Sequence, residues 1–416
     1  MARRNPEDTR FWRIAGAGAV FQGGSAAVDS ATVVASLVHM LTGSALAVGY
    51  ASTVLRLGWL LPQFAVGYLA ERTDRRMPFY ALGAYGRAIT VAMIGILLWW
   101  GADWPQVDWP PVPLALGMLG LWTIYAFVSG VVAVPYNDIV GRAIPSERRS
   151  RMLAWRFFGG GVLAVLVAGV LRLALDVMLP LRAYALIFWL GAVLMIVSAT
   201  LFVSAGEPAT AARAPRDRPA NLSGFLREGF STLRQDHRFR LFLIFQWLGA
   251  ATLMALPFYV VAASRSGLGA ADVGTLLAAQ TVGALASNPL WGHIGDQAGK
   301  LRLLGIVALV RLGPPVLVLL LVVTGSGLTG FAVLFFLIGA MMNGVTIGYL
   351  GYLLEISPDD CRPAYSAWFN SFAAPAALAP LVGGVVVSMI AIEAVFIAAI
   401  LAALGQVAIA ARLTRG

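Results

Sequence analysis

The chain has 416 residues, of which 59% are apolar and only 12% charged, and it carries a net charge of +10 at pH 7. A soluble fold of this length cannot bury so much apolar surface, so a membrane protein is expected. The single cysteine, Cys361, excludes an intrachain disulfide and a cysteine-based metal cluster, and the bases are dispersed among loops rather than gathered into a nucleic-acid-binding stripe.

No secretory leader is expected. Met1 to Asp8 is polar, and the apolar run that follows is long and lacks a cleavage pattern. Twelve apolar runs then recur, at 12–38, 45–70, 78–100, 113–137, 152–175, 183–204, 239–263, 271–293, 302–323, 328–354, 364–388 and 391–411. Each is long enough to cross a hydrocarbon core of ~30 Å as a helix. Bases cluster at the N-terminus, in the loops after runs 2, 4, 6, 8 and 10, and at the C-terminus. The opposite loops hold only Arg182 and Arg265. This positive-inside bias puts both termini in the cytoplasm, and Trp99, Trp100, Trp104 and Trp109 fit an interfacial belt at the outer end of run 3.

The longest polar stretch, Ser204 to His237, divides the chain into an N-terminal six-helix bundle (1–204), a cytoplasmic linker (205–237) and a C-terminal six-helix bundle (238–416). Gly206 to Pro219, rich in Ala, Pro and Arg, reads as tether. Leu222, Phe225, Leu226, Phe230 and Leu233 share one helical face, which predicts an amphipathic helix on the inner membrane surface.

The two bundles carry copies of the same signals. Gly67, Leu69, Glu71 and Arg75 are repeated as Gly292, Ile294, Asp296 and Lys300: a glycine, an apolar residue two on, an acid four on and a base eight on. Arg149 and Ala154-Trp155 match Arg362 and Ala367-Trp368 at one constant offset, and Arg87 nearly matches Arg311. A duplicated helical membrane bundle is the architecture of many secondary transporters, with the substrate site at the interface of the repeats.

On these residues the chain resembles the major facilitator superfamily. That family's inner-loop signature after helix 2 is Gly, x, Leu, Ala, Asp, Arg, x, Gly, Arg, Arg/Lys. Here it reads Gly67-Tyr68-Leu69-Ala70-Glu71-Arg72-Thr73-Asp74-Arg75-Arg76, with Glu for the acid and Asp74 for the second glycine. Leu41-Thr42-Gly43-Ser44 and Gly49 are also familiar before and within helix 2 of that superfamily. More narrowly, Pro135-Tyr136 and Trp155-Arg156-Phe157-Phe158-Gly159-Gly160 are similar to the helix 4–5 region of the glycoside–cation symporters. The paired helix 2 aspartates through which those symporters bind their cation have no counterpart in Leu57 to Pro62. The glycine–proline signature of the drug–proton antiporters is also incomplete, since run 5 has its glycines but no proline before Pro180.

The resemblance implies an all-α membrane protein of twelve transmembrane helices in two six-helix repeats. It also implies alternating access and a cavity lined mainly by helices 1, 4, 7 and 10. Polar residues on those runs and their neighbours are the expected liners: Gln22, Ser25, Arg56, Tyr125, Tyr136, Asn137, Arg156, Gln246, Tyr259, Gln280, Asn288, Asn343, Thr346, Tyr349 and Asn370. Trp155 and Trp368 are expected to be packing residues. Charge within a membrane is costly and normally faces a cavity or a partner. Asp29, about 24 Å along the helix from Arg13, is the one carboxylate well inside run 1 and is the expected proton-coupling site, with pairing to Arg56 as its structural alternative. Arg56, Arg87 and Arg311 could attract an anionic substrate, with a scaffold role for Arg87 and Arg311, pairing with inner acids such as Asp138 or Glu355, as the alternative; Arg156 reads as a base that could snorkel to the inner surface, and Arg172 and Glu393 as interfacial. The loop motifs, with Gly67, Glu71, Arg72, Arg75, Arg76, Asp138, Gly292, Asp296, Lys300 and Glu355, are expected to form the cytoplasmic gate.

The expectation is a monomeric bacterial inner-membrane secondary transporter of a small organic solute. A proton is its expected coupling ion, and the substrate is expected to be anionic or zwitterionic, since intramembrane arginine exceeds carboxylate. No cofactor, resident metal or nucleic-acid partner is expected, and no catalytic constellation can be assembled from His39, His237 and His293. A drug or metabolite exporter, or a non-transporting assembly factor or sensor of the same fold, are the alternatives.

Overall fold

The computed structural model describes residues 6–71, 75–103, 112–208, 222–357 and 362–414. The described residues are almost wholly helical, with no strand among them. The first half runs α1 (Pro6–Ala26), α2 (Val33–Thr42), α3 (Ala45–Glu71), α4 (Met77–Gly101), α5 (Val112–Ala143), α6 (Ser146–Val177) and α7 (Pro180–Ser204). After α8 (Leu222–Gln235) the second half runs α9 (His237–Leu253), α10 (Leu256–Arg265), α11 (Asp272–Gln297), α12 (Lys300–Val310), α13 (Gly313–Thr324) and α14 (Leu328–Ile356). It ends with α15 (Arg362–Ala373), a 3-10 turn (Ala374–Leu378), α16 (Ala379–Met389) and α17 (Ile392–Leu413).

Ten segments among the described residues are long and apolar enough to cross a membrane. Two of the expected runs fall outside that set for physical reasons. The first is divided between α1 and α2, and the start of α1 carries Asp8, Arg10 and Arg13. The other, α11, is diluted by Asp272, Thr275, Gln280, Asn288 and His293.

Several apolar runs are broken helices, and the breaks follow from sequence. Proline lacks the N–H that a helix interior needs, and it disfavours helical geometry in the residue before it. Pro257 lies in the first turn of α10, Pro314 follows the first residue of α13, Pro375 lies in the 3-10 turn, and Pro380 follows the first residue of α16. The α1–α2 break has no proline. There Asp29 Oδ1 accepts from the backbone N–H of Ala31 (3.1 Å) and Thr32 (2.9 Å) and from the Thr32 hydroxyl (2.7 Å). Inside a membrane, backbone groups freed by a break must find protein partners, and the Asp29 carboxylate supplies them.

The halves meet closely near one end of the bundle, away from the N-terminus. Gly49 on α3 lies so close to the Pro380 carbonyl of α16 that a side chain there would collide with it, and Gly384 is similarly pressed on Ala45. Small residues let helix backbones approach this way in membranes. The Leu381 N–H donates to Thr53 Oγ1 at 2.9 Å across the same junction. On the other side of the bundle Arg172 of α6 reaches α11, hydrogen-bonding the Thr275 hydroxyl and lying 3.6 Å from the Asp272 carboxylate. Arg172 is therefore a tie between the halves as well as a residue near a span end.

Helix α8 seats part of its apolar face on α15. Gly229 fits against the Trp368 indole with no room for a side chain, and Phe230 meets Phe372 edge-on at 5.2 Å. Leu233 packs on a cluster containing Phe239, Phe242, Tyr352 and Trp368. Asp236 then caps α9 by accepting from the Phe239 N–H at 3.0 Å, and Tyr365 donates to its second oxygen.

The Arg172–Asp272 pair is partly exposed, so its worth is about 0.5–1 kcal/mol. Asp272→Asn is expected to loosen the junction by that amount. A cysteine placed at Val273, which is buried beside Asp272, in a background with Cys361 replaced, should then react about two- to fivefold faster with a water-soluble maleimide. An unchanged rate would show that the pair does not hold this end shut.

Candidate functional site

A cavity of about 480 Å³ lies within the N-terminal half. Helix α1 lines it with Ala17, Gly18 and Phe21, α3 with Leu55, Arg56 and Trp59, and α4 with Tyr80 and Arg87. Helix α5 adds Tyr125, Ser129, Val132, Ala133, Tyr136 and Asn137, α6 adds Arg156, and α7 adds Ser198 and Phe202. The wall is aromatic and aliphatic with three guanidinium groups set in it. No carboxylate occurs among the described residues that line it.

Arg87 lies on the buried face of α4, in helical register with Tyr80, Gly83, Ala84 and Val91. It is 5% exposed. Its guanidinium carbon sits 3.9 Å from the centre of the Phe21 ring, a cation–π contact. It makes no hydrogen bond or ion pair with any described residue, and its Nε is buried without a partner. Arg156 enters because Gly18 has no side chain: a Cβ there would stand 2.6 Å from Arg156 Cδ. Arg156 donates to the Tyr136 hydroxyl at 2.8 Å, while its own Nε is also buried and unpartnered. It turns into the cavity and does not snorkel to the surface. Arg87 and Arg156 line the same cavity. The aromatic wall is continuous, with Tyr80 and Phe202 at 4.1 Å, and Tyr136 and Phe202 at 5.2 Å between ring centres.

The repeat-related position in the second half is built differently. Arg311, 1% exposed, ends α12 and donates to Gln406 Oε1 at 2.9 Å and to the Tyr349 hydroxyl at 3.2 Å. Gln406 in turn donates to the Phe245 carbonyl and to Tyr349, each at 2.9 Å. Neither Arg87 nor Arg311 pairs with Asp138 or Glu355, which corrects the scaffold pairing expected from sequence. Asp138 is held instead by Arg76 (3.5 Å) and Arg142 (2.8 Å).

Of the liners expected from sequence, Arg56, Tyr125, Tyr136, Asn137 and Arg156 line this cavity. Gln22, Ser25 and Asp29 of the first run do not. Gln22 packs against Gly160, and Asp29 is engaged by the α1–α2 turn and not by Arg56. In the second half Asn343 donates to the Ala284 carbonyl (2.8 Å) and to Asn288 Oδ1 (2.9 Å), tying α14 to α11. Tyr259 stacks on Phe396, Thr346 bonds back to the Met342 carbonyl, and Asn370 is exposed. Gln246 is partly buried, and Gln280 has a buried side-chain oxygen without a partner. Tyr80, Trp59 and Phe202 line the cavity and were not singled out in sequence, because lone aromatic residues carry no motif.

The gate candidates are partly legible. Arg72 lies outside the described residues, as do the side chains of Glu71 and Asp296 and the surroundings of Gly67. Arg75 and Glu355 are exposed, Gly292 is partly buried, and Lys300 donates to the Gly295 carbonyl at 3.0 Å. Arg76 and Asp138 belong to a cluster completed by Glu207, a residue read in sequence as tether. The Glu207 carboxylate accepts from the backbone N–H of Arg76 and Met77, both at 2.9 Å, and pairs with Arg142 at 2.7 Å. It thereby caps α4 and joins α5 to the end of α7. Burial pushes the Glu207 carboxyl up, but the Arg142 and backbone hydrogen bonds and the Arg142 charge outweigh it and hold the group below the usual carboxylate range.

A carboxylate with a depressed folded-state pKa contributes stability above its unfolded pKa and loses it as pH falls through the folded value. Glu207→Gln is therefore expected to cost roughly 2 kcal/mol at neutral pH, the scale of a charge-assisted hydrogen bond. Melting curves of wild type and variant in detergent should converge as pH drops through the low carboxylate range. A gap that persists at acid pH would show that the charge is not the cause. Gly18→Ala should displace Arg156 and weaken any ligand held there without the loss of a charge.

A family model described as MFS/sugar transport protein matches residues 16–352. Among curated proteins, the uncharacterized protein Rv2209 of Mycobacterium tuberculosis is 24% identical over 249 residues, covering 59% of this chain and 48% of that protein. The uncharacterized protein Mb2232 of Mycobacterium bovis matches to the same extent. The matched region thus spans about half the length of these relatives. Among solved structures, a variant of the nucleoside transporter NupG superposes with a TM-score of 0.71 at 14% identity, over 99% of both chains. A bacterial homologue of the iron transporter ferroportin, in an inward-facing state, gives 0.70 at 14% identity over 98% of this chain and 99% of that one. These likenesses concern the fold. With the family model covering most of the sequence, the chain belongs to the MFS/sugar transport protein family, whose fold is that of major facilitator superfamily transporters.

Proposed function

We propose that this protein is a secondary carrier that moves a small aromatic organic anion across the bacterial inner membrane by alternating access. In this reading there are twelve spans: α1–α2, α9–α10, α12–α13 and α15–α16 each form one broken span, and the other long helices form one each. The positive-inside bias sets both termini in the cytoplasm. The close junctions of α3 with α16 and of α6 with α11 lie toward the outer side, so the N-terminal cavity faces inward.

The observation that carries the substrate reading is the convergence of Arg56, Arg87 and Arg156 on one cavity whose described lining has no acid. A charge at membrane depth costs roughly 2.5–3.5 kcal/mol on insertion scales, so it is kept where a counter-charge arrives. Guanidinium groups match carboxylate and phosphate geometry, and three of them suit a dianion. Phe21, Tyr80, Tyr136 and Phe202 present ring faces and edges for a planar organic group. The volume falls within the ~300–1,000 Å³ typical of small-molecule sites.

Titration of the purified protein in detergent with phthalate and phenyl phosphate, with neutral benzamide as control, tests this. The two anions should bind, benzamide should not, and Arg87→Gln should weaken binding about tenfold or more, the loss of one charge-assisted contact. Benzamide binding as tightly as the anions would remove the anionic reading.

A further inference from the structure

We infer that this carrier is an obligate anion exchanger, in which the emptied cavity cannot change its facing until a second organic anion has entered. The inference rests on the anion-site reading above and goes beyond it, because it concerns the return step of the cycle.

The argument begins with charge accounting in the N-terminal half. Every carboxylate whose side chain is described there already has partners. Asp8 pairs with Arg148 (2.6 Å), Asp103 with Arg182 (2.5 Å) and Asp176 with Arg172 (3.9 Å). Asp29 serves the α1–α2 turn, and Asp138 and Glu207 serve the Arg76–Arg142 cluster. None lines the cavity. Arg87 is out of contact with bulk water except through that cavity, and neither it nor Arg56 has a hydrogen-bonding partner among the described residues.

For the site to face outward, the halves must part at α3–α16 and close at the other end. Between those states both ends are closed, and water leaves the space around the arginines. The desolvation cost of an uncompensated buried charge is then at its largest. A bound dianion removes most of it. A carrier with a titratable acid among its arginines could instead neutralise the site internally by losing a proton from that acid, and return empty. The described lining here offers no carboxylate for that role.

Arg311 serves as an internal comparison. At the nearly corresponding place in the other half, Gln406 and Tyr349 accept hydrogen bonds from the guanidinium, and this arginine does not line the cavity. The halves therefore differ in how they hold two nearly corresponding arginines. Arg87 has no hydrogen bond to a described residue and faces a cavity, whereas Arg311, whose Nε is also buried without a partner, has one end of its guanidinium held by neutral protein groups.

Proteoliposomes separate this inference from the reading it rests on. Vesicles are filled either with buffer or with the same buffer containing phthalate. The same potassium chloride concentration is present on both sides, with valinomycin to collapse the membrane potential. Uptake of radiolabelled phthalate and of radiolabelled phenyl phosphate is measured, with equilibrium binding measured on the same preparation. Exchange predicts uptake into phthalate-loaded vesicles faster by on the order of a hundredfold, the rate equivalent of carrying one uncompensated arginine charge through the closed state. Binding with equal uptake into both kinds of vesicle would overturn exchange and leave the anion site standing. Absence of binding would overturn both. Arg87→Gln gives a readout that a structural role would not move: although it binds more weakly, its ratio of loaded to buffer-filled uptake should fall toward one. An unchanged ratio in a variant that still binds and transports would exclude Arg87 as the charge that bars the empty return.

Discussion

A guanidinium held out of water with no acid beside it is the constraint around which the N-terminal half is arranged. Arg87 cannot face lipid, and no described side chain accepts its hydrogen bonds. What it has is the face of Phe21, a continuous aromatic wall and a cavity of about 480 Å³. The absence of a side chain at Gly18 admits Arg156 to the same space. Each of these features would be a defect in a closed core. Together they form a site whose electrostatics are completed from outside.

The second half shows the other way to meet the same constraint. Arg311 stands at the end of α12, where Pro314 and Pro315 help to interrupt the helix, and Gln406 and Tyr349 converge on it from α17 and α14. Broken helices elsewhere follow the same rule that freed polar groups need partners inside the protein. Asp29 is instructive here. A lone carboxylate within an apolar run invites a reading as a proton carrier, yet a helix break without proline needs an acceptor for its exposed N–H groups, and the Asp29 oxygen supplies it.

Closure of one end depends on small residues more than on charge. Gly49 and Gly384 allow α3 and α16 to touch backbone to backbone, and the Arg172–Asp272 pair adds a partly exposed tie across α6 and α11. At the face that carries the N-terminus, the charged residues are organised within the first half. Glu207 caps α4 while pairing with Arg142, which also holds Asp138. This cluster makes the ends of α4, α5 and α7 one unit, which is what a half that moves as a body requires. The docking of α8 on Trp368 gives the linker a fixed attachment to the second half.

Much of the architecture was legible in sequence because its signals are local or periodic. Apolar runs, the alternation of basic loops and the duplicated Gly67 and Gly292 motifs need no knowledge of contacts. The helix breaks were not read from sequence: prolines sit at several of them, and the break beside Asp29 was invisible without the turn it caps. Five of the expected cavity liners reach the cavity, and they lie on α3, α5 and α6. The liners expected on α9, α11 and α14 are spent elsewhere or lie apart from it. Polarity within a span says that a partner exists and not which one: Asn343 found Asn288 and the Ala284 carbonyl, while Arg156 found Tyr136. By itself the sequence determined a helical membrane bundle of the major facilitator type and its excess of intramembrane arginine. Only the tertiary structure decided that Arg311 finds hydrogen-bond partners among the described residues and Arg87 does not, because such partners are side chains brought together from helices far apart in the chain.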